Sequence, residues 1–211
     1  SEREPGTIRK SQNWIGGTRS GNALYVPPPP EAVPDALSAL EKWIHADDPL
    51  PPLVKAGLAH VQFESIHPFL DGNGRIGRLL ITLLLERWRL LSAPLLYLSL
   101  GFKRHRQEYY NRLMAVRTTG DWEGWTAFFL ECVKESADDG VETARRLFAL
   151  VGTDRLRVSD DEKTTVTALR LFEMLPSHPI ITLPLAMKLL DTTQPTAGKA
   201  IDALCHAKVL L

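Results

Sequence analysis

Ile76-Gly77-Arg78-Leu79-Leu80-Ile81-Thr82-Leu83-Leu84-Leu85-Glu86-Arg87-Trp88-Arg89-Leu90-Leu91 is the stretch that decides the fold. It is apolar nearly all round, the pattern of a helix buried at the centre of a helical domain. Its unbroken apolar run falls well short of the ~20 residues that span a bilayer, so no membrane role is expected. Helical spacing recurs on both sides. Upstream, Leu37, Leu40, Trp43 and Ile44 follow a cap at Asp35, and Pro51-Pro52 opens a helix carrying Leu53, Val54, Leu58, Val61 and Phe63. Downstream, residues 104–117 and 122 to about 151 read as further helices, the last one long or broken near Gly140.

Further out the patterns change. Residues 7–26 hold Gly16-Gly17, then Gly21-Asn22, and read as a hairpin that Pro27–Pro30 closes with a rigid connector. Residues 161–175, 182–190 and 194–208 read as three helices, the last two joined by Asp191-Thr192-Thr193, with Val209-Leu210-Leu211 starting a wing strand. The expected fold is all-α with a small β-hairpin and a C-terminal winged helix-turn-helix, divided as residues 1–154 and 155–211.

Composition removes several classes. The 211 residues carry 25 Lys and Arg against 25 Asp and Glu, a net charge of zero that excludes a basic nucleic-acid coat or an acidic disordered tail. Apolar residues make up 44%, as in ordinary globular proteins. Cys132 and Cys205 form no metal-ligand pair and no disulfide framework. With no signal-peptide pattern, the expected setting is the cytoplasm. The chain opens at Ser1 and ends in an apolar pattern, and so reads as a piece of a longer protein.

Between the two apolar helices stands His67-Pro68-Phe69-Leu70-Asp71-Gly72-Asn73-Gly74-Arg75-Ile76-Gly77-Arg78. Gly72 and Gly74 permit positive φ, so successive amides can turn inward as an anion nest. The following helix offers unsatisfied N–H groups and its positive dipole end at the same place. Arg75 and Arg78, on one face of the first turn, can fork onto phosphate oxygens. Asp71 supplies a hard oxygen suited to Mg²⁺, and His67 can be neutral and take a proton from an attacking hydroxyl. Phe69 reads as an apolar anchor. These groups together make a phosphoryl-transfer site.

This stretch resembles the signature of the Fic family. Ile8 to Gly17 and Tyr25 to Pro30 are similar to the family's flap, taken here as residues 7–30, and Tyr109-Tyr110 and Gly120-Asp121-Trp122-Glu123 to its downstream helices. The resemblance implies transfer of AMP from ATP to a Ser, Thr or Tyr hydroxyl of a target protein or of the chain itself, releasing pyrophosphate. It implies His67 as general base, Asp71 as the Mg²⁺ ligand, Gly72, Asn73 and Gly74 as the anion hole, and Arg75 and Arg78 on the outer phosphates. Ile15, Gly16 and Gly17 would clamp the target, and Tyr109 and Tyr110 are candidates for adenosine contact. Gly74 stands where the Doc branch has a lysine and so favours AMP over phosphate transfer. Transfer of UMP or phosphocholine, as in other members, stays open.

Many relatives carry an inhibitory helix, and Thr119-Gly120-Asp121-Trp122-Glu123-Gly124 fits its short pattern. It reads instead as a helix start, with Thr119 and Glu123 in capping and dipole roles. The inhibitory helix is expected outside this chain, which would then be more active than its parent. From 155 to 211 seven basic residues face six acidic ones, so protein contact or homodimerisation is favoured over DNA binding. A nucleotide-sensing DNA-binding regulator is the competing reading.

Overall fold

Pro51 and Pro52 start helix α2 (Pro52–Ile66), because proline presets the dihedral of a first turn and lacks only an N–H that would have no partner there. In a computed structural model describing residues 6–211, α2 packs against α3 (Asn73–Arg87), and α1 (Val33–His45) lies against α2. Helix α1 begins at Val33-Pro34, so Asp35 sits inside its first turn and does not cap it. Helix α5 (Arg106–Thr119) takes the place of the helix expected over 104–117, and α4 (Leu98–Arg104), which the sequence reading did not include, precedes it and divides from it at His105. Helix α6 (Trp122–Asp160) runs on without a break. The remaining helices are α7 (Val166–Met174), α8 (Leu183–Leu190) and α9 (Gln194–His206).

The chain forms two compact units that divide at Gly140 and Val141, inside α6, rather than at residue 154. In the first unit, α2 supplies Ala56, Ala59, Val61, Phe63 and Ile66 to a core shared with Ile81, Leu84 and Leu85 of α3. Trp125 and Phe129 of α6 are fully buried there, and Trp125 Nε1 donates to the Gly57 carbonyl at 2.9 Å. Helix α3 is not buried all round, as its sequence suggests. Ile76, Leu79 and Leu83 stay exposed on one face, because the neighbours of α3 cover only the face of Gly77, Ile81 and Leu84.

The expected β-hairpin is absent. Among the described residues no strand forms, and residues 7–30 hold a single antiparallel bridge, Ile15 with Tyr25. Its bonds are Ile15 N–H to Tyr25 O at 2.9 Å and Tyr25 N–H to Ile15 O at 3.2 Å. The ladder cannot grow in either direction. On one side the prolines have no donors, and side chains of Gln12 and Arg9 take the Pro27 and Pro28 carbonyls. On the other, Gly16 and Gly17 turn into the left-handed region and Asn22 Oδ1 accepts from Thr18 and Arg19.

The second unit buries Leu171, Phe172, Leu190 and Leu204 with small alanines of α8 and α9, and Val158 of α6. Thr165 and Thr182 cap α7 and α8 through their hydroxyls. No strand starts at 209–211 among the described residues: Lys208 takes a positive φ, and the N–H groups of Val209 and Leu210 turn back to Leu204 O, so these residues cap α9. No helix among the described residues is long and apolar enough to cross a membrane.

Candidate active site

Helix α3 opens in an unusual way. Gly72 precedes it at φ 87°, no side chain caps its N-terminus, and its first turn contains no acidic residue. The N–H groups of Asn73 and Gly74 have no intrahelical acceptor. Arg75 and Arg78 fold back over this end: a Cβ on Gly72 would meet Arg75 Nη2 at 3.4 Å, and one on Gly74 would meet Arg78 Nη1 at 3.1 Å. Two cations at the positive end of a helix dipole oppose folding unless an anion joins them.

The Asn73 side chain serves the loop itself. It is buried, its Oδ1 accepts from Phe69 N–H at 2.9 Å, and its Nδ2 donates to Phe69 O at 2.7 Å. That clasp leaves only the backbone of Asn73 for a ligand. The Phe69 ring packs near Phe63, as an anchor should.

His67 ends α2 in the left-handed region, at φ 49°. Its Nδ1 lies 3.4 Å from Glu64 O, which favours the tautomer with Nε2 unprotonated. Burial lowers its pKa; the backbone contact to Glu64 opposes this, and the Arg117 and Arg9 charges add to it. Glu64 is buried too, its Oε1 has no hydrogen-bond partner, and burial raises its pKa against the pull of Arg117 and Arg78. Glu64 Oε2 and His67 Nδ1 are 4.0 Å apart, and the opposite shifts favour a neutral contact over an ion pair.

Asp71 lies on the open side of the loop, its Oδ1 accepting from Gly72 N–H at 2.7 Å and its Oδ2 3.8 Å from Arg75. Among the described residues no cluster of three His, Cys, Asp or Glu side chains can cage a metal. One exposed carboxylate beside a phosphate cradle fits Mg²⁺, which keeps waters and takes phosphate oxygens as its other ligands.

Residues 1–85 match the Fic/DOC family. That segment is similar to the Fic/DOC family. The chain is similar to proteins named Protein adenylyltransferase Fic, 33% identical over 137 residues in Culex quinquefasciatus and in Aedes aegypti and 31% in Drosophila melanogaster. Each match covers 64% of this chain and 25% of the relative, so the chain spans about a quarter of their length. The solved structure of a Fic family protein from Desulfovibrio desulfuricans G20 superposes with a TM-score of 0.60 at 25% identity, covering 92% of this chain and 53% of that one.

The other site candidates separate. Tyr109 is buried with its hydroxyl 2.9 Å from His60 Nε2, whereas Tyr110 is half exposed with Arg106 over its ring. Ile15, Gly16 and Gly17 form the turn beside the Tyr25 bridge. At 119–124 the cap is Asp121, whose Oδ1 accepts from Gly124 N–H at 2.9 Å, while Thr119 closes α5 and bonds back to Ala115 O. Sequence reasoning missed Arg9, Asn13, Tyr25, Glu64 and Arg117 as neighbours of His67. Glu64 lies three positions before His67, a helical spacing that could have signalled it, but nothing in the spacing of the other four signals contacts with this loop across some 40 to 60 positions.

Proposed function

We propose that this chain transfers AMP from ATP to a Ser, Thr or Tyr hydroxyl of a target protein or of itself. The observation that carries this reading is the uncapped, acid-free start of α3 with Arg75 and Arg78 folded over it, an anion cradle five to eleven positions after a half-buried, neutral-leaning histidine. Similarity to proteins named adenylyltransferases supports AMP as the group moved.

The hydroxyl oxygen forms a bond to the α-phosphorus as the bond to the bridging oxygen breaks, and pyrophosphate leaves. His67 Nε2 takes the hydroxyl proton, help worth about 10²–10⁴-fold. The backbone N–H groups of Gly72, Asn73 and Gly74 hold charge gathering on the α-phosphate, and Arg75 and Arg78 hold the outer phosphates. Asp71 would hold Mg²⁺, which when bound neutralises phosphate charge. The turn at Ile15, Gly16 and Gly17 contacts the target segment, and Tyr110 is the tyrosine open to adenosine. The second unit contacts protein rather than DNA, given its balanced charge; strong, salt-sensitive retention on DNA would reverse that.

ATP labelled separately at its α- and γ-phosphorus tests the reading in cell extract. Protein label from the α position only, abolished in His67→Ala and by chelation with EDTA, is the expected result. Label from γ only would make the chain a kinase, and no label with nucleotide-dependent DNA retention would make it a regulator.

A further inference from the structure

The last turn of α2 and the loop after it present six consecutive carbonyls, residues 64–69, where a helix runs out of its own donors. Every one of them receives a donor from elsewhere in the chain. Arg117 Nη2 donates to Glu64 O at 2.8 Å, and the Tyr25 hydroxyl to Ser65 O at 2.9 Å. Arg9 Nε donates to His67 O at 3.0 Å, its Nη2 reaches Ile66 O at 3.5 Å, and its backbone N–H reaches Pro68 O at 2.9 Å. Asn13 Nδ2 and Asn73 Nδ2 share Phe69 O. The two guanidiniums come from different places, Arg9 from the N-terminal segment, where it is buried, and Arg117 from α5. Arg117 also lies 4.3 Å over the Tyr25 ring, which joins the two arms of the cap.

Resting on the reading of His67 as base, we infer that Arg9 and Arg117 are its positioning residues, a double guanidinium cap that grips the carbonyl end of α2 from two sides. A helix end carries partial negative charge, so cations there are favourable, and a forked cation can bridge successive carbonyls where an ammonium cannot. The grip holds His67 in a left-handed conformation that is uncommon for a non-glycine residue. It also joins the segment bearing Ile15–Gly17 to the loop bearing the base. The charged and titratable groups that face the imidazole or its neighbours are Glu64 on α2, Arg9 and Tyr25 on the N-terminal segment, Arg78 on α3 and Arg117 on α5. Of these, Arg9 and Arg117 push the imidazole toward its neutral form, while Tyr25 acts on the two guanidiniums and Arg78 on Glu64.

The test follows the His67 ring by NMR across pH, assigned with His67→Gln, beside self-labelling from α-labelled ATP and ATP affinity. Arg9→Gln and Arg117→Gln should each raise the His67 midpoint and lower the labelling rate at saturating ATP by up to about 100-fold, with ATP affinity unchanged. Arg9→Lys and Arg117→Lys, milder for folding, should keep the midpoint near that of the parent yet still lose rate, because one ammonium spans neither the Ile66 and His67 carbonyls that Arg9 bridges nor the Glu64 carbonyl and Ser65 hydroxyl that Arg117 bridges. Folded glutamine variants with an unmoved midpoint, or lysine variants with full rate, overturn the proposal. A parent chain that labels nothing strikes the transfer reading, and the titration then still decides this one.

Discussion

The His60 ring and the Tyr109 hydroxyl meet at 2.9 Å inside the first unit's aromatic core, with Phe102 and Trp125 stacked beside the imidazole. Tyr109→Phe removes the hydroxyl and leaves His60 Nε2 buried without a partner, which costs about 1–3 kcal/mol. The urea midpoint should fall accordingly while ATP affinity holds. An equal stability with weaker ATP binding would return Tyr109 to the nucleotide site.

His60 also sets the acid limit of stability. Burial lowers its pKa to about 4, so it stays neutral in the folded chain while the unfolded chain protonates it from about pH 6.5 downward. The unfolded state then binds more protons, and stability falls with pH through that window by about 3 kcal/mol. His67, lowered for the same cause, acts in the same direction; Glu64, raised by burial, opposes both. Asp48 and Asp161, held low by Lys55 and His206, add a loss further into acid. Urea denaturation at steps between about pH 7 and pH 4 should show the decline, and its slope should flatten in a folded His60→Gln variant.

Gly57 is the tightest point in the core for added volume. A Cβ there would lie 2.7 Å from Phe129 Cδ1, and the Gly57 carbonyl already holds Trp125 Nε1. Gly57→Ala therefore forces a fully buried ring to move, and should destabilise the chain by about 1–3 kcal/mol despite the better helix propensity of alanine. Thermal unfolding checks this, and a higher melting temperature would show that the ring relaxes freely.

These sites mark what a reader of the sequence can and cannot see. The helices around the signature follow from local period and capping residues, and the phosphate cradle is legible because its glycines and arginines lie within one loop and one turn. The hairpin is not legible correctly, because turn residues announce a reversal but not whether a ladder extends: Pro27–Pro30 and Asn22 stop it, as Lys208 turns the chain back before a strand can start at 209. The exposed stripe of Ile76, Leu79 and Leu83 was hidden because composition around a helix does not say how many faces find neighbours. The Arg9 and Arg117 bonds were invisible because their partners are backbone carbonyls, which have no identity in a sequence.

Asn73 gives the last prediction, because the cradle depends on a clasp that its own side chain makes. Both amide atoms are engaged on Phe69, Oδ1 accepting its N–H and Nδ2 donating to its carbonyl, and the residue is 2% exposed. Asn73→Ala leaves that N–H unpaired by the residue that held it and should cost about 1–3 kcal/mol. Asn73→Asp keeps the acceptor but sets a carboxylate against Phe69 O, and it adds negative charge at the end of α3 where phosphate is to bind. Asp should therefore weaken ATP binding more than Ala, though it alone improves the helix-dipole match. Calorimetric titration of both folded variants with ATP and Mg²⁺ decides it: the reverse order would mean that the start of α3 does not receive the anion.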